Sequence, residues 1–120
     1  MNKVQALTSF WNSFNLIAYD ENTVPDDAQL PYITFSVGED DFNYPVSLTA
    51  SIWYRSKRWD EITHKLDEVS EKIGRGGVTI PYDDGMIWIT KGSPFAQRMR
   101  DEDDSIRRIF INVEVEFIGG

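Results

Sequence analysis

Met86-Ile-Trp-Ile-Thr90 and Ile109-Phe-Ile-Asn-Val-Glu-Val-Glu-Phe117 are two runs rich in β-branched and aromatic residues, and the rest of the chain reads outward from them. That composition favours strands. In the second run Ile109, Ile111, Val113, Val115 and Phe117 alternate with Phe110, Asn112, Glu114 and Glu116, as a strand with one buried face requires. Between the runs lies Gly92-Ser-Pro-Phe-Ala-Gln-Arg-Met-Arg-Asp-Glu-Asp-Asp-Ser105, too charged and too long for an ordinary hairpin turn. Connections of that length in a compact domain are usually functional or disordered. From Arg98 to Arg108 it holds four arginines (98, 100, 107, 108) and four acids (101 to 104), so it is ionic but net neutral. It reads as a contact arm, disordered in a free chain for want of its partners.

Upstream, Val4, Leu7, Phe10, Trp11, Phe14 and Ile17 recur every three or four residues, which predicts a leading helix that ends near Tyr19. Pro25 and Pro31 disfavour helix before them, so residues 20–31 are expected to form an extended acidic loop. Tyr32–Val37 and Val46–Tyr54 have strand character, and Val46, Leu48, Ala50, Ile52 and Tyr54 share one face. Ser56 is placed to cap a second helix whose apolar stripe is Trp59, Ile62, Leu66, Val69 and Ile73. Glu61 with Lys65, and Glu68 with Lys72, have favourable i,i+4 spacing, and Gly74 suits a helix stop. Asp83-Asp-Gly85 signals a hairpin between Val78–Tyr82 and Met86–Thr90. The expected order is α-β-β-α-β-β-β: a single α+β domain spanning 1–120, with two helices packed on an antiparallel sheet.

A chain of 120 residues and 13.9 kDa suits one domain. It has no cysteine, which removes disulfides, thiolate metal sites and cysteine nucleophiles. No basic leader with an apolar core and no 18-residue apolar run occurs, so neither a signal peptide nor a membrane span is expected. The net charge of −8 is concentrated between Asp20 and Pro45, where seven acids stand without a lysine or arginine. Gripping nucleic acid needs a basic stripe, and none is present. An acidic surface would let a polyanion pass without holding it, although such surfaces also serve plain solubility.

Catalytic patterns are weak. The one histidine, His64, lies one helical turn after Asp60, a spacing that recurs on any charged helix. No phosphate-binding glycine pattern occurs, since Gly74-Arg-Gly-Gly77 reads as a helix stop. Asp101 to Asp104 lack calcium-loop spacing and have arginines on either side that would compete for them. No catalytic residue, cofactor or metal site is therefore expected. Trp53 and Phe110 instead fall on the polar side of their strands. They belong to the core if the second helix covers that side, and to a contact surface if it does not.

Leu30-Pro-Tyr-Ile-Thr-Phe35, Ala50-Ser-Ile-Trp-Tyr-Arg-Ser56 leading into a helix, Trp88-Ile-Thr-Lys-Gly-Ser-Pro-Phe-Ala-Gln-Arg98 and the closing Arg107-Arg-Ile-Phe-Ile-Asn112 are carried by a chain that resembles the small tail terminator proteins of long-tailed phages and prophages. The likeness runs over nearly the whole length. It implies a non-enzymatic α+β subunit that assembles as a homo-oligomeric ring, a hexamer, on the tail tube. There it would stop tube polymerisation and face the head connector, with DNA only passing through and no membrane involved. The implied location is the virion neck, and the host cytoplasm during assembly. Arg98, Arg100, Asp101, Asp103, Arg107, Arg108, Trp53 and Phe110 are the candidate contacts with a neighbouring subunit or the tail. Glu39, Asp40 and Asp41 are the candidates to line the channel. Another neck or head-completion protein, a small binding module and a small enzyme remain alternatives.

Overall fold

A computed structural model describes residues 1–38 and 45–119. Two helices pack on one face of a six-stranded sheet that curls as a half-barrel. The helices are α1 (Lys3–Trp11) and α2 (Asp60–Ile73). The strands are β1 (Ala18–Asp20), β2 (Tyr32–Phe35), β3 (Val46–Arg55), β4 (Val78–Tyr82), β5 (Gly85–Met99) and β6 (Ile106–Gly119), arranged β1-β2-β3-β6-β5-β4. The expected α+β architecture holds. One strand is added to the expected order, and because β1 runs parallel to β2 the sheet is mixed rather than wholly antiparallel.

That extra strand corrects the expected length of the leading helix. Asn2 and Gln5 close a reciprocal capping box at the start of α1. The helix then tightens into a 3₁₀ turn at Asn12–Phe14 and stops at Asn15, whose φ of 62° is left-handed. Ala18–Asp20 pairs with β2 instead of continuing the helix, and Val4 and Ile17 of the expected stripe are solvent-exposed. Asn12 explains the switch: its Oδ1 accepts the Ala18 N–H at 3.0 Å and its Nδ2 lies 3.5 Å from the Ala18 carbonyl. A helix residue thus occupies the open side of β1.

The second helix begins at Asp60, four residues beyond the expected Ser56 cap, and Trp59 precedes it with no side-chain cap. Ser56 Oγ accepts the Arg58 N–H instead. Of the expected ion pairs, Lys65 pairs with Glu68 rather than Glu61. Lys65 Nζ donates to Phe14 O at 2.8 Å and Lys72 Nζ donates to Ser13 Oγ. Both lysines thereby bring α2 against the carbonyl end of the first helix, where positive charge is favoured. Leu7, Phe10, Trp11 and Phe14 meet Ile62, Val69 and Ile73 over Phe35, Ile52, Ile87, Ile89, Ile111, Val113 and Val115, all buried.

The long connection expected between Gly92 and Ser105 is mostly strand. β5 and β6 pair as far as Met99↔Arg108, so the free tip shrinks to residues 100–105 and is folded rather than disordered. A bulge makes this possible. Lys91 opposes Val113 and Ala96 opposes Ile111, so residues 92–95 together face Asn112 alone. The odd number of extra residues reverses the side-chain alternation, which keeps Ala96 and Arg98 on the helix side of the sheet. Gly92 fits there because a Cβ would lie within 2.8–3.0 Å of Asn112, and Asn112 Nδ2 donates to Pro94 O at 3.1 Å. Gly92 and Pro94 both lie within this bulge.

Candidate functional site

The sheet face opposite the helices carries the chain's most unusual grouping. In β3 and β6 register, Trp53 opposes Arg108 and Ser51 opposes Phe110. In β2 and β3, Tyr32 opposes Trp53 and Thr34 opposes Ser51. Tyr19 of β1 joins the same face beside Thr34. Tyr19 and Tyr32 meet edge to face at 5.6 Å, and Tyr32 lies 6.4 Å from Trp53. The Arg108 guanidinium sits 4.6 Å above Trp53 and 5.7 Å from Phe110, within cation–π range. Its Nε donates to Ser51 Oγ at 3.0 Å, and Trp53 Nε1 donates to Thr34 Oγ1 at 2.9 Å. Each polar atom underneath is therefore paired, and the rings and guanidinium lie across the top, partly open to solvent.

Among the described residues no helix packs over this row, because α2 lies on the opposite face. Trp53 and Phe110 thus lie outside the core cluster, on a sheet face that no helix covers among the described residues. Along β6 the same face continues through Asn112 to Glu114 and Glu116, with Ser47 donating to the Glu114 carboxylate at 2.6 Å. It ends on Met86, Trp88 and Ile118, the last 50% exposed. One end of the face is aromatic and basic, the middle is polar, and the far end is acidic and then apolar.

The arginine-rich segment divides. Arg98 and Arg107 point to the helix side, where their guanidinium groups lie 4.6 and 5.4 Å from the Trp59 ring. Arg107 also donates to the Asp104, Ile106 and Lys57 carbonyls, while its Nε is buried without a partner. Arg108 belongs to the opposite face. Arg100 and Asp101 stand at the hairpin tip, beside a 510 Å³ cleft floored by Trp59 and Ile106. Asp103 is a turn residue: its carboxylate accepts from the Ser105 hydroxyl and N–H, with Arg55 at 3.7 Å. Those hydrogen bonds, and then Arg55, hold its pKa below the ordinary 3.8. Glu39, Asp40 and Asp41 lie outside the described residues.

The structure therefore brings Trp53, Arg108 and Phe110 together, and holds Arg98 and Arg107 apart from them. Two participants went unread. Tyr32 was accessible from its alternation with Ile33, but Tyr19 was hidden because its segment reads as helix. His64 is exposed in a shallow depression with Asp60 and Asp67, and the Asp60 carboxylate pairs with Arg58 rather than with the imidazole. Burial, then Glu61 and Glu68, raise the Tyr54 pKa above its ordinary 10.0, a core effect with no acid–base pair behind it. Among the described residues no three metal-ligating side chains gather, and no helix is long and apolar enough to cross a membrane.

No family model matches the chain, and no curated protein matches it in sequence. Among solved structures it is similar to a chain in the virion of a native gene transfer agent particle, with a TM-score of 0.52 and 17% identity. The match covers 82% of this chain and 75% of that one. At this identity the likeness speaks for a shared fold.

Proposed function

We propose that this chain is a structural protein of a phage-like virion, and within it the tail terminator. It would assemble as a ring on the last layer of the tail tube, end tube growth and offer its far side to the head connector. The observation that carries the reading is the fold shared with a virion-particle chain over most of both lengths. The uncovered aromatic and arginine face suits a protein whose work is contact. At the hairpin tip Arg100 and Asp101 are the residues offered to a neighbour or the tube end, since Arg98 and Arg107 are engaged at Trp59. Glu39, Asp40 and Asp41 are assigned to the lumen, where like charge keeps passing DNA from sticking.

Particles made without this chain test the proposal. The expected result is tail tubes of uncontrolled length and heads that carry no tail, both corrected by adding the purified protein. Tubes of normal length with unjoined heads would move the chain from tube to neck. Normal tails on normal heads would overturn the assembly role.

A further inference from the structure

One half of β5 is an open sheet edge. β4 starts at Val78, opposite Ile89, so from Thr90 onward no described strand pairs with the side of β5 that faces away from β6. The alternation of ladder bonds tells which groups point out. Ser36 N donates to Thr49 O at 2.8 Å, so odd residues of β3 bond toward β2 and even ones toward β6. Carried across the register, Phe110 and Arg108 bond to Gln97 and Met99, which leaves the N–H and C=O of Ala96 and Arg98 directed outward. Among the described residues no hydrogen bond reaches those groups from another element. Lysine, proline and a bulge guard strand edges against added strands, but Lys91, Pro94 and the bulge all lie short of Ala96.

We propose that an extended segment of a partner polypeptide adds to β5 there as an antiparallel strand, its residues alternately apolar and polar with one of the polar ones basic. On the outer face such a strand continues the row Tyr32, Trp53, Arg108 and Met99, so its residues on that side are apolar. On the helix side its neighbours are Arg98 and Ala96. Arg98 is held at Trp59 and borders a 320 Å³ depression whose α2 wall carries Thr63, His64 and Asp67. The residue opposite Arg98 is therefore polar and uncharged. Ala96 presents only a methyl group, which leaves room for a long side chain opposite it. Asp67 has no ion pair among the described residues, and a basic group reaching past Ala96 meets its carboxylate. The net charge of −8 favours such a partner and opposes a second copy of the chain. That the segment belongs to a neighbouring virion protein rests on the assembly reading; the strand site itself does not.

The blocked peptide acetyl-Thr-Val-Thr-Val-Lys-Val-Thr-amide, titrated into the full chain and followed by amide resonances and hydrogen exchange, tests this. Saturable binding with a Kd of about 1 mM or tighter is expected. The Ala96 and Arg98 amides should then exchange at least about fivefold more slowly, while Gln97 and Met99, already bonded to β6, keep their rates. N-methylation of the peptide lysine removes its donor to Ala96 O and should weaken binding about fivefold or more, whereas N-methylation of the central valine, whose N–H points away, should not. Asp67→Ala, at an exposed position, should remove the preference for this peptide over one with glutamine in place of lysine. No shifts at about 5 mM peptide, or equal weakening by both N-methyl groups, would overturn the strand site. A lysine preference that survives Asp67→Ala would overturn the basic partner. Protection of Ala96 and Arg98 by concentrating the chain alone would make a second copy the occupant and would also overturn it. Each of these failures leaves tube termination to be decided by particles made without the chain.

Discussion

Asp103 shows how a cluster that looks like a charge run is made of individual backbone tasks. Asp101 Oδ1 accepts the Asp103 N–H, and Asp103 Oδ1 accepts both the Ser105 N–H and hydroxyl, so two overlapping aspartate turns shape the hairpin tip. A carboxyl whose pKa is lower in the folded chain stabilises the fold above its unfolded value and stops doing so as pH falls through the folded one. The tip should therefore be most ordered above about pH 4 and loosen on further acidification. The Ser105 amide resonance followed against pH reads this directly, and Asp103→Asn should remove most of the dependence. The arginines of the segment were the harder part to read. Arg98 finds its partner at Trp59 and Arg108 finds Trp53, both in earlier elements, and nothing local in the sequence marks those pairings.

At the scale of elements, Gly85 was legible as a turn glycine, but the larger demand on it was not. β5 begins at Gly85 paired with Tyr82 on one side and Gly119 on the other. A Cβ there would overlap Ile118 O and come within 2.7 Å of the Gly119 Cα. The hairpin residue is thus also the point where the end of β6 passes. Gly85→Ala should cost about 3 kcal/mol by thermal unfolding, well beyond the few tenths expected at an exposed turn. A change within error would mean that the β6 end yields freely. The same distinction explains what else was readable. Period-two alternation announced β3 and β6, and the 3.6-residue stripe announced α2, because each records its own burial. β1 and the bulge in β5 depend on partners remote in sequence: Asn12 clasps Ala18 from the preceding helix, and Asn112 holds Pro94 from across the hairpin.

For the whole molecule, charge was the most legible property, and the proposed ring would give it a purpose. Seven acids and no base between Asp20 and Pro45 make one region of the chain strongly repulsive to a polyanion. In a ring each such charge is repeated by every copy, so a small change per chain becomes a large change in the lumen field. DNA held by lysines must exchange its counterions for protein charges, and every contact formed then has to be broken for the strand to advance. Replacing Glu39, Asp40 and Asp41 together by lysine should leave the ring and the head-to-tail joint formed, because these residues are assigned no contact with a subunit. Delivery of DNA through the assembled particle should slow, and more so at low salt than at high, since the attraction is screened as ionic strength rises. Delivery timed by nuclease sensitivity of the released DNA distinguishes the cases. Unaltered kinetics at low salt would place the three acids away from the channel, whereas a failure of head and tail to join would make them contact residues instead.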